Sequence, residues 1–168
     1  ALDGRRQILI DQITSADEDG LDVRDYPIPK FNIDLSDVRK MAEADIILSA
    51  SAVAYARDAR GARIDPFKLS KLITPKLNIP RANTILTNLI GAASPAQALA
   101  SYQPSFEGYG LLKQKLADFK DTTASIGPAI GVSGGVGKKP LRTNTAMVST
   151  IAPSPFDIIA NMERWRWL

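Results

Sequence analysis

The chain of 168 residues contains no cysteine and no histidine. Without cysteine there is no disulfide, no thiolate nucleophile and no Cys-ligated metal. Without histidine the usual general base at neutral pH and the commonest metal ligand are both missing. Ser-His-Asp, Cys-His and His-based zinc sites are therefore excluded within these residues. The chemistry left to carboxylates, Lys, Tyr and Ser favours a binding or structural role, so we expect no catalytic residue, no metal ligand set and no cofactor. No run approaches the ~20 apolar residues of a membrane span, and Ala1-Leu2-Asp3 has neither the basic start nor the apolar stretch of a signal peptide.

What the chain does have is core material. Hydrophobic residues make up 45% and charged residues 23%, an ordinary balance for a globular domain. The net charge of +3 is unevenly spread: residues 1–50 carry 6 basic and 11 acidic side chains, residues 51–100 carry 7 and 2. A cationic middle steers toward anionic polymers such as nucleic acid, wall polymers or phospholipid, or is a solvated surface balanced by the acidic first third.

The periodicity is helical throughout. Ile8, Ile10, Ile13 and Ala16 share one face, with a stop at Gly20. Ser36 opens a helix running to about Arg60, and its stretch 46–56 is apolar or small nearly all round, the mark of a buried element. Asp65-Pro66 and Ser94-Pro95 each supply a cap followed by proline at the first helical position. Residues 82–91 carry Ile85, Leu86, Leu89 and Ile90; residues 110–122 carry Leu111, Leu112, Leu116 and Phe119 on a stripe. No stretch alternates with period two, so the expected class is all-α: a multi-helix domain over 1–125, a Gly-rich linker, and a C-terminal helix. Residues 126–137 contain five glycines and one proline without periodicity. The expected division is 1–125, a linker or remnant module at 126–155, and a helix at 156–168.

Several motifs fail on inspection. Placing Gly20 at the sixth position of a calcium loop puts Ser15 first and Tyr26 last, where a carboxylate and a bidentate Glu are needed. Gly137-Lys138 would need Gly at Val132 and Ser or Thr at Lys139 for a phosphate loop; a dinucleotide loop would need Gly at Pro140. The pairs Asp17/Asp19 and Glu43/Asp45 fall on different helix faces and carry little weight as acid and base. Both tryptophans lie in the closing string Asn161-Met162-Glu163-Arg164-Trp165-Arg166-Trp167-Leu168. Each Trp buries on the order of 150–250 Å² when packed. The two rings point about 200° apart on a helix, which favours packing over a stacking clamp. Ile159, Met162, Trp165 and Trp167 are the expected interdomain packing residues.

Three stretches resemble a known family. Residues 13–26 are similar to an A-x-x-D/E-G-L-D-P-x-x-Y opening. Residues 43–49 and 55–66 resemble an A-D-x-x-L-T … Y-x-x-D-L-x-x-G-R-x-D-P block, and 161–168 resembles N-L/M-E-R-W-R-W-L-P. Together they resemble the large periplasmic L,D-transpeptidases that cross-link peptidoglycan. The resemblance implies that 1–125 is the helical scaffold and that the string lies just before a catalytic domain whose Cys and His perform acyl transfer. Residues 135–148 resemble the tail of a small peptidoglycan-binding module. None of the catalytic residues maps onto this chain, which is itself expected to be non-catalytic while the parent protein is an enzyme. The resemblance further implies a periplasmic location, with peptidoglycan and the protein's own catalytic domain as partners and no nucleic acid. Arg57, Arg60 and Arg63 are candidate contacts to anionic groups, or surface ion-pair partners of Asp58 and Asp65. The alternatives are a stand-alone helical cell-wall-binding or adaptor protein, which would sediment with sacculi, and a basic helical nucleic-acid-binding domain, whose affinity would fall steeply with salt.

Overall fold

Helix-starting chemistry is written repeatedly along this chain, and in most places the backbone follows it. The computed structural model describes residues 2–29, 37–125 and 154–168. Among these residues there are seven α-helices and no strand: α1 Leu2–Thr14, α2 Val38–Ala59, α3 Pro66–Leu69, α4 Ala82–Gly91, α5 Pro95–Ala100, α6 Glu107–Ser125 and α7 Pro155–Trp165. The all-α expectation holds. The linker or module remnant expected at 126–155 falls on residues 126–153, outside the described residues.

Caps define most boundaries. The Asp37 carboxylate accepts from the backbone N–H groups of Arg39 and Lys40 at the start of α2, one residue after Ser36, which lies outside the described residues. Asp65 caps α3 and Ser94 caps α5, each followed by proline. These side chains satisfy amide donors that the first helical turn leaves without partners. At the other end of α4, the Arg5 guanidinium donates to the carbonyls of Leu89 (3.0 Å) and Ala92 (3.0 Å), closing orphan acceptors and opposing the negative end of the helix dipole.

Two boundaries differ from the sequence expectation. α1 ends at Thr14, where a single 3-10 turn, Ala16–Asp19, takes over and stops at Gly20 in the left-handed region. α6 begins at Glu107, three residues before Gly110, because Gly108 and Gly110 are taken into its first turns. Glycine disfavours a helix interior by about 1 kcal/mol, so tertiary packing decides this start.

The core has two parts. The larger gathers Ile10, Ile13, Leu48, Ala52, Tyr55, Ala56, Ile85, Leu89 and Leu99 where α1, α2, α4 and α5 meet. α2 is central but one-sided: Leu48, Ser51, Ala52, Tyr55, Ala56 and Ala59 are buried, whereas Ile46 stands in solvent. Small residues along one stripe let neighbouring helices approach closely, and the remaining face is left uncovered. The smaller part joins α6 to α7 through Tyr109, Leu116, Ile158 and Met162.

Candidate functional site

The second core is where the C-terminal string meets the helical domain, and its construction begins with the cap of α7. The Ser154 hydroxyl accepts from the Asp157 N–H at 3.2 Å, and the Asp157 carboxylate accepts from the Ser154 N–H at 2.9 Å. This reciprocal box fixes the entry into the helix. The hydrogen bond from the Ser154 side chain holds the Asp157 carboxyl below its ordinary range. From there, four-residue spacing delivers Ile158 and Met162 to the buried face, with Glu163 beside Met162.

Arg166 follows the last turn of α7 and is driven fully inside; its side chain is 0% exposed. One guanidinium nitrogen donates to Glu163 Oε2 at 2.8 Å. The other donates to the Tyr109 hydroxyl at 3.0 Å and to the main-chain oxygen of Asp19. The guanidinium also lies 5.6 Å from the Tyr109 ring centre, within cation–π range.

Asp19, at the end of the 3-10 turn, is buried as well. Its Oδ2 accepts from the Tyr55 hydroxyl at 2.6 Å. The Lys113 ammonium lies 2.5 Å from Oδ1, an ion pair without the alignment of a hydrogen bond. Gln103 joins the two tyrosines: its amide donates to Tyr55 Oη at 3.1 Å and its oxygen accepts from Tyr109 at 2.7 Å. Burial pushes the Tyr109 phenol up to about 12, against the opposing pull of Arg166. Burial likewise raises Tyr55, with the Asp19 carboxylate adding to the effect. Both phenols are thereby held as donors. The network links the 3-10 turn, α2, the loop before α6, α6 itself and the residue after α7.

The four residues expected to pack between domains lie on or beside α7 and rest on the helical domain. Met162 is fully buried, and Met162 and Ile159 both lie against Gly20. Trp165 covers Gly108 so closely that a β-carbon there would sit 2.5 Å from the indole, and its ring is 5.5 Å from that of Phe106. Trp167 turns to the end of α2, where Gly61 adopts φ +85° and a β-carbon would come within 2.9 Å of the indole. Glycine is required at Gly61 on both counts. The two rings thus diverge onto α6 and α2 and form no stacking pair.

Arg57, Arg60 and Arg63 cluster at and beyond the C-terminal end of α2, all exposed. The expected ion pairs with Asp58 and Asp65 do not form. Asp58 accepts from the Tyr26 hydroxyl at 2.9 Å, Asp65 caps α3, and Arg63 instead approaches Asp25 at 3.9 Å. Burial raises the Asp58 carboxyl.

In the sequence Asp19 stands out only within the acidic run before Gly20, as part of a failed calcium loop and as half of an Asp17/Asp19 pair, and nothing there groups Arg166, Glu163, Tyr109, Gln103 and Lys113. Among the described residues no group of acidic side chains is arranged to hold a metal ion, and no helix is long and apolar enough to cross a membrane.

Neither the curated proteins nor the solved structures contain a match to this chain. A family model described as "Scaffold domain" matches residues 1–116, from α1 into α6. On that match, which spans more than half of its length, the chain belongs to the Scaffold domain family.

Proposed function

We propose that this chain is the helical, non-catalytic scaffold of a periplasmic enzyme that forms peptidoglycan cross-links by L,D-transpeptidation. The observation that carries the reading is the seat of the terminal string. The residues resembling N-L/M-E-R-W-R-W-L-P are anchored on the scaffold by the fully buried Arg166 and its partners Glu163, Tyr109 and Asp19. A catalytic domain reached through this string inherits a fixed position relative to the helices. Membership in the Scaffold domain family supports the same role.

In the reaction implied by the resemblance, a cysteine thiolate outside this chain attacks the stem-peptide carbonyl after the third residue. The terminal D-amino acid leaves with its amine protonated, and the resulting thioester passes its acyl group to an amine of a neighbouring stem, regenerating the thiol. The scaffold's part is positional. The exposed Arg57 and Arg60 lie next to the seat of Trp167 at Gly61, placed to meet anionic groups of the wall polymer beside that domain.

Muropeptide analysis tests the reading. Overproducing the full gene product should raise the share of cross-links made through the third stem residue. The Arg166→Met form, at matched protein level, should raise it less. An unchanged cross-link pattern on overproduction would refute the proposal.

A further inference from the structure

The segment after α2 has a chemistry that the scaffold role does not use. From Pro66 through Phe106 there is no acidic residue, while Lys68, Lys71, Lys76 and Arg81 all occur there. Asp65, just before, spends its carboxylate on the N–H of Phe67 at 3.1 Å. Interleaved with the lysines are large apolar side chains standing in solvent: Phe67 is 58% exposed, Leu69 60% and Leu72 93%.

Local backbone geometry explains why they protrude. α3 is a single turn, Pro66–Leu69, and ends at Ser70. The Ile73 N–H then returns to the Ser70 carbonyl at 3.1 Å, and the Leu72 N–H is held by the Ser70 hydroxyl at 3.2 Å. The turn so closed carries Lys71 and Leu72 at its two central positions, which pushes both side chains outward. Isolated exposed apolar residues are ordinary. Three within six residues, interleaved along the chain with the exposed Lys68 and Lys71, form an apolar tip that carries positive charge.

We propose that this tip, Phe67 to Lys76, docks on the surface of an anionic lipid bilayer. Phe67, Leu69 and Leu72 would enter the boundary between headgroups and acyl chains, with Lys68, Lys71 and Lys76 on lipid phosphates. A polyanion alone accounts for the lysines but leaves the leucines in water. An apolar protein groove accounts for the leucines but places three ammonium groups against it. A bilayer of anionic lipid offers an apolar layer and a negative one together, the combination that interfacial anchors use. The docking is peripheral and distinct from a span.

The experiment is sedimentation of the full chain with vesicles of pure phosphatidylcholine and with vesicles containing an equal share of phosphatidylglycerol. The protein should pellet with the mixed vesicles and stay in solution with the neutral ones, and added salt should release it. Leu72→Asp should lower the partition constant about tenfold or more, the worth of one buried leucine. Replacing Lys68, Lys71 and Lys76 by Ala should lower it by about a hundredfold, from roughly 1 kcal/mol per cation at the surface. Val38→Asp, at the opposite end of α2 and equally removable as an exposed apolar residue, should change nothing. All these positions are exposed, so the circular dichroism melting curve should be unaltered in each variant. Failure to pellet with the mixed vesicles would overturn the proposal, as would equal loss in Val38→Asp and Leu72→Asp. Retention by purified sacculi without any vesicle binding would overturn it in favour of a wall polymer.

Discussion

The two parts of the core are built on opposite principles. Where α1, α2, α4 and α5 meet, the interior is aliphatic and aromatic, and stability there follows from volume and area. Where α7 meets α6, four apolar residues share the interior with Arg166, Glu163 and Asp19. A charge brought inside a protein is tolerated only when its partners are in place. The first core would accept many substitutions of similar size. The second specifies one arrangement, since moving α7 by a single turn would strand a guanidinium without its acceptors.

The sharpest way to break this contrast is Arg166→Ala. It leaves the Glu163 carboxylate and Tyr109 buried without their donor and should cost about 3–5 kcal/mol in urea unfolding. In the apolar core, Ile85→Val should cost only about 0.5–1.5 kcal/mol. Replacing both members of the pair, Arg166→Met with Glu163→Leu, should cost clearly less than Arg166→Ala alone, because Glu163 is no longer left as an unpaired charge and Asp19 keeps Lys113. Equal losses in the single and double replacements would mean that packing, and not pairing, seats the string.

Next in size is Gly108→Ala. The added carbon would meet the Trp165 ring at 2.5 Å, and the displaced indole should cost about 1–3 kcal/mol despite alanine's better helix propensity. A stabilised variant would show that Trp165 does not rest on α6.

Alkaline pH acts on a buried phenol in each core, Tyr109 in the second and Tyr55 in the first. The Tyr109 phenol, raised from 10.0 to about 12, binds its proton more tightly folded than unfolded. Its contribution to stability is therefore complete below pH 10 and is lost as pH rises toward 12. Tyr55, raised in the same direction, adds to the loss. Denaturation midpoints followed across this range should fall steadily, and Tyr109→Phe should flatten the slope. The smallest effect is expected at the edge of the second core, where Ser154→Ala removes one half of the α7 cap and should cost about 1 kcal/mol.

Much of the first core could be read from the chain because its signals are local. Asp65-Pro66 and Ser94-Pro95 carry their own start instructions, and Ile85 and Leu89 mark a face by spacing alone. The start of α6 was obscured by Gly108 and Gly110, and the small size of Gly108 serves a contact with Trp165 from far along the chain. The Arg166 network was invisible for the same reason. Its bonds reach Tyr109 and Asp19 across 57 and 147 residues, and no periodicity records a pairing at such separations. That the two tryptophans pack was legible, and both are half-buried; which glycines they would cover was not.

Both tryptophans lie in the terminal string, so indole fluorescence reports the seat of that string while far-ultraviolet circular dichroism reports the helices. Following both signals through one urea titration tests whether string and scaffold form a single cooperative unit. Coincident transitions in the wild type, with the fluorescence transition moving to lower urea ahead of the helices in Arg166→Ala, are the predicted result. A wild-type fluorescence transition that is already complete before the helices begin to unfold would contradict the account.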